Sequence, residues 1–410
     1  MMGFGTVFSL GLLLVAFLAG PISQFVRIGG VFLTPNPTVL SKGQGPIHIE
    51  DTVHCEDLHH YRPANLLFTA CEDDRSGRFS WFPPLGNFVP VRNQGSIHVV
   101  DPNTMKSTRL AMENFQGSFL THGIDVIEDP EQANAVYIYA VNHLPNPAYF
   151  EAGEPANVPK ARSQIELFHH VLKSGSVRHV RSIYHPLIKT PNDIFAASPA
   201  SFYVTNDHFH REGAMRLIED VWPSATWSDV IHVQITGILD EPYATVALTG
   251  LRNNNGLGHG RTDKEILISS AMGGELYVST LHESNYSIAV ETSIPFPTLT
   301  DNPTYYTDPY RTDADDASGF VVAGISQAFK MPSNSIDPNA TDPSQVWYAR
   351  LNPSSGVWEK RLLFEDDGSR IRSASAAVLI PIEPDDNKKL AWLFVTGFLS
   401  ESILVVQVEL

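Results

Sequence analysis

Six short polar clusters interrupt the chain at nearly regular intervals, and this rhythm constrains the fold more than anything else in the sequence. They are Glu56-Asp57, His122-Gly123, Asn192-Asp193, Asn253-Asn254-Asn255-Gly256, Asp301-Asn302 and Ser373-Ala374-Ser375. Spacings of about 50 to 70 residues mark a repeat architecture. Between the clusters lie strand-like runs: Ser96–Val100, Ala135–Val141, Gln164–Phe168, Glu265–Ser269, Glu275–Ser279, Val346–Leu351, Leu390–Thr396 and Ile403–Val408. They are rich in Val, Ile, Tyr, Phe and Trp, which suit a pleated, half-buried surface. Intervals that each hold several such runs predict an all-β chain folded as a six-bladed β-propeller, each blade a four-stranded sheet. The innermost strand of every blade starts beside a central channel. Polar residues at those starts therefore converge on one axis.

The bulk of the sequence agrees. Hydrophobic residues make up 43% and charged residues 18%, enough apolar material for a sizeable core, and 28 Gly with 29 Pro suit many turns. One helix is predicted, Arg211–Trp222, with Met215, Leu217, Ile218 and Val221 at helical spacing before Pro223. Its ordinary reading is a lid packed on the propeller. The segments Arg75–Arg92, His143–Arg162, His208–Asp229, Thr304–Ser318 and Gln327–Gln345 read as long loops that wall a pocket over one face. A formal charge of −17 excludes a nucleic-acid partner, which would need a basic stripe. It is compatible with a site that gathers a divalent cation.

Residues 4–20 are almost wholly apolar, long for a signal-peptide core and slightly short for a membrane span. Residues 1–28 are thus read as a signal peptide or signal anchor, and residues 29–410 as one propeller domain. Entry to the secretory pathway follows, with membrane association through this segment if it is kept. Secretion favours a bridge between Cys55 and Cys71; two buried free thiols are the plainer alternative. The sequons at Asn285 and Asn339 fit a secreted glycoprotein.

Calcium takes six to eight oxygen ligands. Glu56, Asn192, Asn255, Asp301 and Asn302 offer side-chain oxygens from four separate blades, with room left for water or a substrate oxygen. Singly, each is an ordinary turn residue. Jointly, at the heads of inner strands, they predict a metal site whose ion would act as a Lewis acid on a carbonyl or phosphoryl oxygen.

The stretches Glu56-Asp57-Leu58, His122-Gly123-Ile124, Val141-Asn142-His143, Asn192-Asp193-Ile194, Phe202–His208, Asn255-Gly256 and Asp301-Asn302 carry a resemblance. In content and order the chain resembles the serum paraoxonase/arylesterase family, with gluconolactonase-like propellers behind it. The resemblance implies two calcium ions along the channel. A catalytic ion falls on Glu56, Asn192, Asn255, Asp301 and Asn302, and a deeper structural ion on Asp57, Asp193 and the backbone carbonyl of Ile124. It places a base pair on His122 and His143, the first taking a proton from water and the second orienting it and passing the proton on. With 16 His in the chain, a structural role is the bland alternative for either. Asp207 and His208 match a supporting or substrate-facing pair. The implied activity is calcium-dependent hydrolysis of a lactone or aryl ester, a small molecule whose metal-polarised carbonyl is attacked by His-activated water.

The chain also departs from the family. Gly324-Ile325-Ser326-Gln327 stands where the family has an active-site His, Pro303 follows Asp301-Asn302, and the long-range disulfide to the C-terminus is missing. The predicted helix occupies the place of a lid helix that meets lipid surfaces in the family, but Arg216, Glu219 and Asp220 leave it little basic character. Two other classes compete: a strictosidine-synthase-like propeller enzyme, which lacks this calcium set, and a non-catalytic propeller stiffened by calcium.

Overall fold

The structure, a computed structural model, describes residues 19–20, 22–36, 43–92, 94–237, 240–313, 315–352, 354–385 and 388–410. Six sheets of four or five strands follow one another around a channel. The innermost strands are His59–Tyr61, Thr121–Glu128, Pro191–Ser198, Asn254–His259, Pro303–Tyr306 and Ala374–Asp385. Each polar cluster sits at or just before the head of one of them. The chain is a six-bladed β-propeller, as its rhythm predicts. Each strand-like run falls inside a strand, usually extended by a residue or more: Ala135–Val141, for instance, is the start of Ala135–Pro145. Blade two gains a fifth, outermost strand, Ala111–Glu113, paired in parallel to Ser176–Ile183.

The core is a set of seams between neighbouring blades. Val321, Ala323 and Val346 of blade five meet Ala377, Leu379 and Leu393 of blade six. Leu67, Cys71 and Val100 of blade one meet Val378, Ile380 and Phe394 on the other side of blade six. Both faces of an inner sheet are therefore buried, and its strands read as nearly continuous apolar runs. The circle closes without a covalent tie to the C-terminus. The N-terminal strand Ile47–Ile49 adds antiparallel to Ile403–Glu409 in the register Ile47↔Val405 to Ile49↔Ile403. The Ile403 amide donates to Thr52 Oγ1 at 2.9 Å, which fixes that register.

Cys55 and Cys71 form a disulfide across a sequence separation of 16. It ties the segment that carries Glu56 to the second strand of blade one. Closing a loop of this length restricts the unfolded chain by about 3 kcal/mol. The double replacement Cys55→Ala/Cys71→Ala is accordingly expected to lower unfolding free energy by that order in urea titration, with blade one's head the first part to loosen.

Two expectations need correction. The helix spans only Ala214–Val221, and it turns its apolar stripe outward: Leu217 is 65% exposed, and Met215, Ile218 and Val221 are exposed as well. Glu219 is the buried residue, because its carboxylate accepts from the amides of Phe209 and His210, both at 2.8 Å. The helix does rest on the propeller, through its polar side. The loop expected at Thr304–Ser318 is the other case. Residues 303–306 form the inner strand of blade five, and 307–318 link its tail to the second strand, so they lie at the far end of the channel from the polar clusters.

The N-terminal residues up to 18 lie outside the described residues, and with them most of the apolar segment. Among the described residues no helix is long and apolar enough to cross a membrane. Residues 22–33 dock on the propeller: Ile28 is buried, and Gln327 Nε2 donates to the Leu33 carbonyl at 2.6 Å. Asn285 and Asn339 both stand exposed on turns.

Candidate metal centre

The heads of the inner strands are stitched to one another by their own side chains. Asp57 of blade one accepts the Ile124 amide of blade two at 3.1 Å, and Asp193 of blade three accepts the Leu257 amide of blade four at 2.7 Å. The Asn302 amide of blade five donates to the Ser375 carbonyl of blade six at 2.8 Å. The Glu56 carbonyl accepts from the hydroxyls of Ser375 and, at 2.8 Å, of Thr396. No side chain larger than hydrogen fits at two of these crossings. A Cβ at Gly123 would stand 2.2 Å from Asp193 Oδ1, and one at Gly256 would stand 2.4 Å from the Asn302 Cα. Gly123→Ala is expected to displace Asp193 and destabilise the protein by about 1 to 3 kcal/mol, read as a lower melting temperature.

This stitching leaves a set of oxygens unused. Glu56 Oε2, Asn192 Oδ1, Asn255 Oδ1, Asp301 Oδ1 and Asn302 Oδ1 are buried and have no hydrogen-bond partner. They are the five atoms expected to hold an ion. Asn302 Nδ2 donates to Glu56 Oε1 at 3.0 Å, which turns the remaining oxygen of each residue free. An unpaired buried polar atom costs about 1–3 kcal/mol, a cost that a cation bound by these oxygens would relieve. The charge agrees. Burial, then Asp301 and Asp57, raise the Glu56 carboxyl well above the ordinary glutamate range. Burial, then Asp57 and Asp207, raise Asp301 in the same way. Two neighbouring carboxyls resisting ionisation together call for a cation.

The deeper pair fits on different grounds. Both oxygens of Asp57 and both of Asp193 already accept backbone amides. What asks for a cation there is charge: burial, Asp57 and Glu56 raise Asp193 well above the usual range, and burial pushes Asp57 up to about 6. Ile124, next to Gly123, donates its backbone amide to Asp57 Oδ2 and so lies beside that carboxylate.

His122 and His143 meet beside the cage. Their Nδ1 and Nε2 atoms are 3.1 Å apart, His143 Nδ1 lies 2.8 Å from Ser163 Oγ, and His122 Nε2 lies 4.0 Å from Glu56 Oε1. Burial and the Arg78 charge push His122 down to about 3, and burial with His122 beside it holds His143 well below its usual value. Both imidazoles are therefore neutral around pH 7. Over them, the loop of residues 75–92 folds a small ribbon, Trp81–Phe82 against Asn87–Phe88. The Trp81 indole donates to the His143 carbonyl at 2.9 Å, and the Phe82 ring meets His122 edge-on at 5.3 Å and stacks on Phe398 at 5.8 Å.

Beside this cover opens a narrow cleft. His143 and Ser163, Pro83 and Pro84 of the ribbon, and Asp207, Arg211 and Arg216 of the lid loop line it. Asp207 thus faces the cleft. Burial alone would raise its carboxyl, but His208 at 3.0 Å and Arg216 hold it below the ordinary range. His208 turns instead to the lid helix, its Nε2 2.7 Å from Asp220 Oδ1. Sequence reasoning missed Arg78. This fully buried guanidinium pairs with Glu72 at 2.9 Å, donates to the Thr121 carbonyl at 2.6 Å and lies over the Phe82 ring. It joins the cover to the head of blade two. Arg78 is one of three Arg in the loop of residues 75–92, and its composition gave no signal of this.

The arylesterase family model matches residues 77–379. The chain is 27% identical over 225 residues to serum paraoxonase/arylesterase 2 of Gallus gallus, which covers 54% of this chain and 56% of that protein. It is 26% identical over 302 residues to serum paraoxonase/lactonase 3 of Oryctolagus cuniculus, covering 72% and 74% respectively. The chain therefore spans little more than half the length of the first of these relatives. Among solved structures, it aligns to the periplasmic gluconolactonase of Pseudomonas aeruginosa with a TM-score of 0.41 at 12% identity, covering 90% of this chain and 88% of that one.

Proposed function

The chain belongs to the arylesterase family, and from that premise we propose that it is a calcium-dependent hydrolase of small lactones or aryl esters. The observation that supports the reading is that five buried oxygens without a hydrogen-bond partner come from the heads of four blades, with a hydrogen-bonded imidazole pair 4.0 Å from one of them, Glu56. Glu56, Asn192, Asn255, Asp301 and Asn302 would hold one calcium ion, and Asp57, Asp193 and the Ile124 carbonyl a second. When bound, the first supplies a Lewis acid for the carbonyl oxygen and for the charge that develops on it.

The chain's own residues do the rest. Neutral His122 offers Nε2 to an attacking water, and as it takes that proton its Nδ1 proton passes to His143 Nε2, 3.1 Å away. Ser163 orients the second ring. Phe82 and Trp81 keep bulk water from the pair. Asp207, Arg211 and Arg216 set the polar wall of the cleft beside them and bear on which acyl group is admitted. His208 serves as a support that ties the Asp207 wall to the lid helix.

The disulfide and relatives whose names place them in serum support passage through the secretory pathway, with residues 1–28 as the leader, 29–410 as the propeller, and glycans on Asn285 and Asn339. The tight cover over His122 favours one rival, a propeller in which calcium is purely structural. Phenyl acetate and δ-valerolactone, each assayed with calcium and again with EGTA, separate the two. The proposal expects turnover that chelation abolishes and calcium restores. Turnover indifferent to EGTA, or none on either substrate class, sinks it.

A further inference from the structure

A second cluster of metal-binding side chains lies further along the inner strands, past the polar heads. The inner strands of blades one, two and four each carry one member a few residues along: His59, Asp125 and His259. His59 Nδ1 is 2.5 Å from Asp125 Oδ1, and His259 Nε2 is 2.8 Å from Asp125 Oδ2. One donor atom from each of the three residues falls within 4.8 Å of the other two. The carboxylate is fixed from behind, since the Val126 amide donates to Oδ1 at 2.9 Å and the Ala196 amide to Oδ2 at 2.6 Å. The two imidazoles are nearly perpendicular, with centroids 5.8 Å apart, and the Phe195 ring packs on His259 at 4.2 Å. His259 keeps 43% of its side chain exposed, so the cluster opens to solvent.

We propose that His59, Asp125 and His259 form a binding site for a borderline divalent transition ion of the zinc class, separate from the calcium cage. Two imidazoles and a carboxylate with an open position are the donor set such ions take, whereas calcium prefers oxygen alone. The ion would take the ring nitrogens that now face the carboxylate, His59 Nδ1 and His259 Nε2, in place of any proton they carry. The amides of Val126 and Ala196 then act as the outer partners that orient the ligating carboxylate. Nearby Asp263 favours a cation, while the Arg62 guanidinium opposes it. Such an ion would tie blades one, two and four together within the channel.

Zinc titration by calorimetry on the full chain, held in excess calcium so that the upper cage is filled, tests this. One zinc per chain is expected, with an affinity at least about thirtyfold weaker in His59→Ala and in His259→Ala. Zinc should raise the melting temperature of the wild type but not of the double variant. Cobalt in place of zinc should give a visible absorption band that both variants lose. His259 is half-exposed, so its variant keeps the test usable if His59→Ala fails to fold. Absence of a saturable zinc site in calcium-loaded protein overturns the proposal, as does an affinity unchanged in His259→Ala.

Discussion

Replacing His122 with Asn is expected to lower kcat for ester or lactone hydrolysis by about a hundredfold to ten-thousandfold, the range over which a positioned general base contributes, while calcium affinity stays within a few-fold. The two effects separate because His122 stands beside the cage without belonging to it: its Nε2 is 4.0 Å from Glu56 Oε1, beyond hydrogen-bond reach. Asn preserves polarity and approximate bulk under Phe82, so the cover stays in place. His143→Gln should cost less, since it removes the proton's second station and leaves the first. If His122→Asn turns over substrate at the wild-type rate with its calcium intact, the imidazole pair is structural.

The second large effect concerns the metal-free protein. Glu56, Asp57, Asp193 and Asp301 all have carboxyls raised above their ordinary values in the folded state. A folded pKa above the unfolded one means that the native state holds the proton more tightly. That contribution is fully present below the ordinary carboxylate range and is lost as pH rises through the folded value, near 6 for Asp57 and well above the usual range for the other three. Protein stripped with EGTA should therefore melt at a falling temperature between pH 5 and pH 8. On the proposed function, added calcium should reverse the trend, because it would bind the deprotonated carboxylates. A ligand at a hundred to a thousand times its Kd adds about 3 to 4 kcal/mol. Glu56→Gln supplies the sharpest control, since its two consequences have opposite signs. At pH 8 it should raise the melting temperature of stripped protein by relieving repulsion, and weaken calcium binding about a hundredfold by removing a charged ligand. A Glu56→Gln protein less stable than wild type without calcium would contradict the account of the cage.

The propeller was legible because such a fold writes its axis into the sequence. Polar residues recur once per blade and the apolar runs between them fill the seams, so Glu56, Asn192, Asn255 and Asn302 fall at or just before the heads of inner strands. The lid helix shows where the same logic stops. Periodicity in Met215, Leu217, Ile218 and Val221 identifies a face but not the direction it turns. Here two orphan amides, Phe209 and His210, drew Glu219 inward and sent the apolar stripe out. The loop of residues 307–318 was misplaced because its composition resembles that of the upper loops; only its position after an inner strand reveals the end at which it emerges. His59, Asp125 and His259 follow the polar heads by three or four residues, a regularity present in the sequence but masked by the abundance of His. Arg78 left no trace, since its role depends on Glu72 and Thr121 meeting it across two blades.

The central claim is that oxygens from four blades close around one ion. A crystal structure of the protein grown with calcium, read for anomalous density on the channel axis, tests it most directly. The account predicts an ion about 2.3 to 2.6 Å from Glu56, Asn192, Asn255, Asp301 and Asn302, with a position left open toward His122. Well-ordered density in which those oxygens are satisfied by water or by one another, with no ion among them, would contradict it.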